Sequence, residues 1–394
     1  MKDFRIAVSG FGKRSHKVLS YLREAMPEMR IVALADPDPS RLADFCDPSE
    51  VAIYDDTDKM LANSSADLLF VGSPNHLHIS QIRSGLEAGL QVFSEKPVVT
   101  TLDDTWKLAK LLAEHGAHRV MVGLVLRYSE QMGDLRHAIA TGHLGRIVSL
   151  EANEHIEPQH GGFFMRDWRR KSEWSGGYML EKCCHDLDIY SWLLKSRPLR
   201  VASFGGRGTF LSENRPIEAD HRSLYHQTQS HWQSADDPFE TDADIIDHQT
   251  AILTYENGVS MSFHTNLNAP DESRHFCLIG TEGMAEGDFQ RGYLHVTDAR
   301  SKQRLVDRDY TGDPNALVDH YGADRKMADE LARFFRGQLS VLPVSIVDAL
   351  EAGVAAMAIE EARRRGTVVD LQPYWDQLDK FDLRAVSSGR MSVS

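Results

Sequence analysis

Residues 4–15 read Phe-Arg-Ile-Ala-Val-Ser-Gly-Phe-Gly-Lys-Arg-Ser. The first six residues are mostly apolar, which predicts a buried strand, and Lys13–Arg23 has the periodicity of an amphipathic helix. Between them lies a Gly-x-Gly-x-x-Gly pattern with Ser15 in the last position. Glycines permit a tight turn and close approach of a phosphate, and a helix N-terminus offers free N–H groups. The pattern predicts a dinucleotide-binding loop, with a ligand-free glycine turn as the alternative; its candidate contacts are Gly10, Phe11, Gly12, Lys13, Arg14 and Ser15.

An acidic residue ends the next predicted strand, Ile31–Ala35. Asp36 lies 21 residues after Ser15 (36 − 15), where dinucleotide-binding folds place a carboxylate on the ribose hydroxyls. A carboxylate there repels a 2′-phosphate, so the sequence favours NAD over NADP. Arg41 is a nearby candidate contact that keeps NADP open. The alternative role for Asp36 is to cap the following helix.

The stretch up to about residue 126 alternates short apolar runs with longer amphipathic ones. This alternation is typical of a parallel sheet covered by helices on both faces, a doubly wound α/β domain. The Rossmann domain is predicted to span residues 1–126. Its predicted strands are Phe4–Ser9, Ile31–Ala35, Leu68–Gly72, Gln91–Ser94 and Arg119–Gly123.

The pattern changes in residues 127–394, where strands outnumber helices. These residues predict an α+β domain with a mainly antiparallel sheet, one face of which is covered. The polar stretch 205–244 shows little periodicity and is interpreted as an insertion between strands. Two late helices, Asp324–Phe335 and Ile346–Arg364, are candidates to pack back on the Rossmann domain. The predicted strands are Ile147–Ala152, Leu199–Phe204, Thr250–Tyr255, Val259–Asn266, Arg274–Ile279 and Tyr293–Val296.

Composition excludes several classes of protein. The chain of 394 residues has 44 Lys and Arg against 58 Asp and Glu, a formal charge of −14. Such a surface repels nucleic acid and anionic membranes, so neither partner is expected. No apolar run is long enough to span a bilayer, and the N-terminus lacks the pattern of a secretory signal. Four cysteines are too few for a disulfide scaffold, so a cytoplasmic location is expected.

Three further motifs resemble one known family. Ser94-Glu95-Lys96-Pro97 is similar to the Glu-Lys-Pro motif of the Gfo/Idh/MocA oxidoreductases, which include glucose–fructose oxidoreductase and inositol dehydrogenase. Residues 71–78 resemble the loop after that family's fourth strand, and residues 177–188 resemble its active-site helix. The resemblance covers nearly the whole chain except 205–244 and the last twenty or so residues. It adds the candidate cofactor contacts Ser73, Pro74, Asn75, His78, Glu95, Lys96 and Pro97.

The resemblance implies a fold, an activity and its residues. The implied fold is an N-terminal Rossmann domain followed by a C-terminal domain built on a large, open, mainly antiparallel sheet. It implies an NAD- or NADP-dependent oxidoreductase acting on sugars, polyols or glycosides, assembled as a homodimer or homotetramer through the C-terminal sheet. By the same resemblance, Lys96 reaches the nicotinamide ribose and the reacting hydroxyl, and His185 is the candidate general base. Glu181 stands where the family has Asp. A spacing of four puts Glu181 and His185 on one helix face; Glu181 could orient His185, hold a substrate hydroxyl, or do neither.

Residues around this helix are candidates for substrate binding, with core packing as the alternative for the aromatic ones. The adjacent Cys183, Cys184 and His185 do not have the spacing of a metal site, so no metal is expected. The candidate substrate contacts are Arg127, Tyr128, Trp168, Tyr178 and His185.

Three functions remain open at this stage. The first is a dehydrogenase that transfers a hydride between a secondary hydroxyl and nicotinamide. The second is a glycosidase or lyase that reduces and reoxidises NAD within each turnover. The third is a non-catalytic dinucleotide-binding sensor, against which the presence of Lys96, His185 and the Glu181 carboxylate argues.

Overall fold

The computed structural model describes residues 3–230, 232–312 and 319–384. The chain forms two compact units. The first unit contains Met1–Tyr128, Ala323–Glu351 and the stretch from Trp375 onward, and the second contains Ser129–Gly322 and Ala352–Tyr374. The boundary predicted after residue 126 lies inside the short turn Val125–Tyr128, at which the first unit ends.

The first unit is built on a parallel sheet, which has six strands in the described part of the chain, in the order β3-β2-β1-β4-β5-β6. The chain adds β2 and β3 on one side of β1 and then β4, β5 and β6 on the other side, which is the arrangement of a Rossmann fold. All four residues of β4 are buried, as a strand covered on both faces requires. The strands are β1 (Phe4–Ser9), β2 (Met29–Ala35), β3 (Ala52–Tyr54), β4 (Leu68–Val71), β5 (Gln91–Ser94) and β6 (Val120–Val122).

Helices connect these strands. The helix predicted over Lys13–Arg23 is α1. Helix α2 was not predicted; it begins after Asp56, whose carboxylate accepts hydrogen bonds from the N–H groups of Asp58 and Lys59. The strand before α2, β3, was also missed, because it is three residues long and mostly exposed. The connecting helices are α1 (Lys13–Ala25), α2 (Thr57–Asn63), α3 (His78–Glu87) and α4 (Leu102–His115).

A late helix completes the first unit. Helix α11 (Ala323–Phe335) packs along α1. The rings of Phe4 and Phe335 stack 4.8 Å apart. Arg336 forms two hydrogen bonds with Glu28, at 2.8 and 2.9 Å. The core of the first unit therefore combines the N-terminal part of the chain with a helix about 300 residues later.

The second unit is built on a mixed sheet, with nine strands among the described residues, in the order β14-β13-β12-β11-β7-β10-β9-β8-β15. Strands β7 and β10 are parallel and the other neighbours are antiparallel. Burial alternates along β9 and β10, so one face of the sheet packs on the core and the other is open. The strands are β7 (Ile147–His155), β8 (Pro198–Gly206), β9 (His248–Tyr255), β10 (Ser260–Asn266), β11 (His275–Gly280), β12 (Gly283–Asp288), β13 (Tyr293–Asp298), β14 (Arg304–Asp309) and β15 (Val369–Asp370).

The remaining helices vary in length, and two short ones precede the candidate catalytic histidine. The long C-terminal helix was predicted within one residue at its end. These helices are α5 (Glu130–Ala140), α6 (Pro158–Arg166), α7 (Ser172–Ser175), α8 (Tyr178–Glu181), α9 (Cys184–Leu194), α10 (Ala219–Leu224), α12 (Ile346–Arg365) and α13 (Gln372–Asp379).

The insertion 205–244 is more ordered than its polar sequence suggests. Its centre is an aromatic cluster of Phe210, Tyr225 and Phe239, with ring centroids 4.9–5.8 Å apart. The buried carboxylate of Asp247 accepts hydrogen bonds from the N–H groups of Gly208, Thr209 and Phe210 and so fixes its first turn. The insertion is thus a folded part of the second unit.

Candidate functional site

The glycine loop after β1 has the geometry of an anion site. Gly10 has φ +83°, and a Cβ there would lie 2.5 Å from the backbone nitrogen of Ser73. A Cβ at Gly12 would meet nothing within 4 Å. Gly12 is the N-cap of α1 and supplies no side-chain hydrogen bond to this helix end. Open space beside the N-terminus of a helix fits a pyrophosphate.

Asp36 is held beside this loop. One carboxylate oxygen accepts the N–H of Phe11 at 2.6 Å, and the other accepts the N–H of Asp38 at 2.7 Å. Asp36 therefore belongs to the loop, at the carboxyl end of β2, where a ribose would be bound. The Phe11 ring is 1% exposed and packs against Phe45, so this residue offers its backbone rather than its ring.

Arg14 lies in the loop, but its charge is neutralised by protein carboxylates. Its guanidinium lies 2.9 Å from Glu95 and 2.7 Å from Asp324. Although burial opposes the charged form, these two carboxylates raise the pKa of Arg14. Arg14 and Glu95, both predicted as cofactor contacts, thus form an ion pair within the first unit, and their contact with the cofactor stays a prediction. Ser15 also acts within the loop, since its hydroxyl donates to the carbonyl of Gly10 at 2.7 Å.

The segment that carries Lys96 is held by a buried histidine. The ring nitrogens of His78 lie 2.7 Å from the carbonyl oxygen of Pro97 and 2.8 Å from that of Ser73. The Lys96–Pro97 peptide is cis. His78 is buried, and its two bonds hold the chain around Lys96. Its predicted contact with the cofactor stays a prediction.

The other predicted residues of the first unit differ in exposure. Lys13 is exposed, and Arg41, Ser73, Pro74 and Lys96 are half-buried. The hydroxyl of Ser73 donates to the side chain of Gln81 at 2.6 Å. Asn75 and Pro97 are buried. The half-buried side chains remain candidates for ligand contact.

Two predicted substrate residues lie in the interior of the first unit. Arg127 is 8% exposed, and its guanidinium lies 3.3 Å from Asp348 and donates to the carbonyl of Pro343 at 3.1 Å. Tyr128 is 3% exposed. Both were predicted as substrate contacts, and that role stays a prediction.

The predicted active-site helix is broken in the second unit. Helix α8 ends at Glu181 and α9 begins at Cys184, with Lys182 and Cys183 between them. The expectation that Glu181 and His185 share the face of one continuous helix is therefore wrong. His185 lies in the first turn of α9, and its ring centroid is 5.6 Å from that of His320.

His320 lies in an unusual turn. Asp319, His320 and Tyr321 have φ values of 56°, 53° and 60°, and Gly322 has 75°. Left-handed conformations of non-glycine residues cost on the order of 1 kcal/mol or more each. Such strain is common where a fold must hold a side chain in a particular place, and here the turn holds His320 against His185.

A buried ion network surrounds the residue next to His185. The Arg274 guanidinium, 1% exposed, donates to Asp186 at 2.9 and 2.7 Å and lies 2.9 Å from Glu154. Glu154 also pairs with Lys182 at 2.9 Å. Burial, partly offset by Arg274, raises the pKa of Asp186, whereas Arg274 and Lys182 outweigh burial and lower the pKa of Glu154. The network fixes the start of α9; its members were not among the sequence-predicted site residues.

Glu181 forms an ion pair with an arginine. It is 3% exposed, and its carboxylate accepts the Nε–H of Arg169 at 2.7 Å. Trp168 is 8% exposed and lies beneath this guanidinium, 4.3 Å from ring centroid to carbon. Arg169 was not among the sequence-predicted site residues. Its signal in the sequence is its position next to Trp168, at the start of a run of basic residues.

Tyr178 is a packing residue. It is 1% exposed, its hydroxyl accepts a hydrogen bond from Thr265 at 3.4 Å, and its ring lies 5.2 Å from Phe164. Burial raises the pKa of Tyr178 well above its ordinary value. Its contact with substrate stays a prediction.

Metal sites and membrane-spanning helices are two features that the described residues lack. Across 3–230, 232–312 and 319–384, no three His, Cys, Asp or Glu side chains are grouped as a metal site. No helix in those same ranges has the length and apolar character needed to cross a membrane.

The fold and the glycine loop define the class, an oxidoreductase with an NAD-binding Rossmann domain. Residues 4–124 match the family described as "Oxidoreductase family, NAD-binding Rossmann fold", and residues 132–286 match the GFO/IDH/MocA C-terminal domain. The chain therefore belongs to the Gfo/Idh/MocA family. This confirms the resemblance inferred from the motifs.

Individual relatives are distant but extend over most of the chain. A Bacillus subtilis (strain 168) protein named as an oxidoreductase, YteT, is 26% identical over 87% of this chain and 90% of its own. A 2,7-anhydro-N-acetylneuraminate hydratase of Mediterraneibacter gnavus is 23% identical over 82% and 78%. The structure of Lactobacillus casei scyllo-inositol dehydrogenase with NAD(H) and scyllo-inositol aligns with a TM-score of 0.71 at 19% identity, covering 94% and 99%.

Proposed function

We propose that the protein is an NAD-dependent dehydrogenase that oxidises a secondary hydroxyl of a sugar, polyol or glycoside, or reduces the corresponding ketone. Bound NAD supplies the hydride acceptor at its nicotinamide ring. The observation that carries the proposal is the glycine loop, where a Cβ at Gly12, the N-cap of α1, would meet nothing within 4 Å. Asp36, fixed by the Phe11 N–H, favours the ribose of NAD over a 2′-phosphate.

We assign proton transfer to Lys96 in the first unit and His185 in the second. Oxidation of an alcohol requires a base for the hydroxyl proton and a positive charge for the developing alkoxide. An imidazole accepts and returns protons near neutral pH, and an ammonium group stabilises an alkoxide. The His78 bonds around Pro97 and the Arg274–Asp186 pair next to His185 keep the two backbones in place. Glu181 is a supporting carboxylate.

The direct test is formation of NADH from NAD with a panel of polyols, free sugars and glycosides. Wild-type protein is expected to produce NADH with at least one class. Lys96→Ala and His185→Ala are expected to lower kcat by roughly 10²–10⁴-fold, the usual contribution of an acid–base group. Full activity in both variants, or NAD binding without turnover on any substrate, would overturn the proposal and favour a sensor.

A second candidate uses the same residues in a different reaction. A relative named as a hydratase favours it, because that name specifies addition of water rather than net oxidation. In this reaction NAD is reduced and reoxidised within one turnover, as in the glycosidase or lyase considered from the sequence. Product formation from a glycoside without accumulation of NADH would identify it.

A second copy of this chain is the proposed partner of the open sheet face. Three large apolar side chains on that face are 71%, 57% and 47% exposed: Phe204, Ile252 and Ile279. Exposed apolar groups on one face are typical of an interface. Light scattering is expected to give a dimer or tetramer, and Ile252→Glu is expected to reduce its size.

The cysteines support our proposal of a cytoplasmic location. All four are free thiols, and Cys183, Cys184 and Cys277 are buried. Burial raises the pKa of Cys183, and that of Cys277 to about 11, which keeps these thiols protonated and unreactive. Unpaired cysteines are usual in a reducing compartment.

A further inference from the structure

Arg169 is a charged side chain of the second unit that is fixed on three sides. Its Nε–H donates to Glu181 at 2.7 Å and its Nη1 to Asp167 at 2.7 Å. The guanidinium carbon lies 4.3 Å from the Trp168 ring centroid and 5.5 Å from that of Phe163. A guanidinium held by two carboxylates and stacked on aromatic rings has little rotational freedom left.

One edge of this guanidinium is open. The side chain is 25% exposed, whereas Glu181 and Asp167 are 5% and 6% exposed. Its third nitrogen, Nη2, has no protein partner in the parts of the chain that the structure describes. Nη2 carries two N–H donors. The Nη2 donors of Arg169 are held in a fixed orientation, because its other two nitrogens are already hydrogen-bonded. A contact with a ligand hydroxyl benefits from such fixed donors.

The surrounding charges decide which ligand suits that edge. Asp167 and Glu181 offset the charge of Arg169, so an anionic group gains little from binding there. A neutral hydroxyl oxygen accepts an N–H without bringing charge close to two carboxylates. The edge therefore suits the hydroxyls of a neutral polyol or sugar better than a carboxylate or a phosphate.

We propose that Arg169 binds a substrate hydroxyl through Nη2 and that Glu181 positions Arg169 rather than moving a proton. This inference rests on the proposed function and names a contact of its substrate. It settles the role of Glu181 that the sequence left open. Asp167 accepts a hydrogen bond from Ser230 of the insertion at 2.9 Å, so the same contact ties substrate recognition to residues 205–244.

The test compares neighbouring arginines in steady-state assays of the full-length protein with saturating NAD and myo-inositol or scyllo-inositol as probes. Arg169→Lys keeps the charge but removes the fixed fork, and it is expected to raise KM at least about tenfold with kcat changed less than about threefold. Arg170→Lys is the matched control. Arg170 is 9% exposed and pairs with Asp242 of the insertion at 2.6 Å. The KM of the Arg170→Lys variant is expected to equal that of the wild type. Equal KM increases in both variants would overturn the proposal.

Glu181→Gln separates positioning from proton transfer. This variant keeps the shape of the side chain and can still accept the Nε–H bond of Arg169, but it loses the negative charge. A raised KM with an unchanged pH profile of kcat supports positioning. Loss of one limb of that pH profile at unchanged KM would show that Glu181 moves a proton and would overturn the proposal.

A binding measurement distinguishes this inference from the proposed function. Trp168 lies under the guanidinium, so its fluorescence is a suitable reporter of myo-inositol, D-glucose and D-glucuronate binding in the presence of NADH. If wild-type protein forms no NADH but binds a neutral polyol or sugar, and Arg169→Lys does not, the dehydrogenase fails and the hydroxyl contact stands. Absence of such binding in the wild type, or a preference for D-glucuronate over D-glucose that Arg169→Lys abolishes, would overturn the contact.

Discussion

The glycine loop of the first unit and the start of α9 in the second unit prepare for chemistry in different ways. The loop depends on backbone geometry, with a positive φ at Gly10 and open space over Gly12. The start of α9 depends on buried charge, since Arg274 holds Asp186, the neighbour of His185. The loop is specified by adjacent residues, whereas Arg274 and Asp186 are 88 positions apart. Changes in the two regions should therefore have different consequences.

The largest effect is expected from removing the buried cation. Arg274→Met leaves Asp186 and Glu154 in the interior without their shared partner, which should cost about 3–5 kcal/mol of unfolding free energy. Urea denaturation measures this loss. Arg300→Met is the control, because Arg300 is 80% exposed and pairs with Glu282 at the surface; it should cost at most about 1 kcal/mol. Similar losses in both variants would contradict the role given to burial.

Two alanine substitutions test the backbone region. Gly10→Ala introduces a strained φ and a Cβ 2.5 Å from Ser73, so both thermal stability and NAD affinity should fall. Gly12→Ala meets no protein atom within 4 Å, so it should lower NAD affinity, by about tenfold or more, with little loss of stability. Calorimetry measures the thermal stability of each variant, and titration with NAD measures its affinity for the cofactor. Full NAD affinity in Gly12→Ala would show that the phosphates bind elsewhere.

Asp36 gives a smaller, selective effect. Asp36→Ala removes the proposed ribose partner and the acceptor of the Phe11 N–H, so NAD should bind roughly tenfold more weakly while affinity for NADP rises relative to NAD. Asp38→Ala is a neighbouring control, because Asp38 caps a short turn through Ser40. An unchanged ratio of NAD to NADP affinity in Asp36→Ala would contradict the proposed cofactor preference.

A pH-dependent effect is expected at Glu272, beside the ion network. Burial, with Glu154 and Glu157, raises its pKa from 4.5 to about 7 despite Lys182 and Arg274. The folded protein thus binds this proton more tightly than the unfolded chain, so the stabilisation is complete below pH 4.5 and is lost as the pH rises through about 7. Glu272→Gln should gain stability relative to wild type between pH 5 and 8 in thermal melts. A difference in melting temperature between Glu272→Gln and wild type that does not change with pH would contradict the raised pKa of Glu272.

The fold was predicted where signals are local. Strand β1 and the start of α12 match the sequence analysis because apolar runs and helical periodicity define them. Strand β14 was missed because it is polar and largely exposed, so its pairing with β13 is its main support. The break between α8 and α9 carries no glycine or proline. Such features depend on tertiary contacts that a sequence pattern does not reveal.

The candidate site follows the same division. Gly10 and Gly12 were predicted from their spacing within one continuous loop, and Asp36 from its position after the second strand. Arg274 was missed because nothing near it in sequence indicates its pairing with Asp186. Arg14 was assigned to the cofactor from its place in the loop, but Asp324, 310 positions away (324 − 14), neutralises it.

The most direct measurement follows the hydrogen atom itself. Myo-inositol deuterated at its ring carbons is incubated with NAD and the protein, and the reduced cofactor is weighed by mass spectrometry. If the protein is a CH–OH dehydrogenase, NADH accumulates and carries one deuterium, and Lys96→Ala forms far less of it. Cleavage or hydration of a substrate without accumulation of labelled NADH, or NADH without the label, would contradict the central claim.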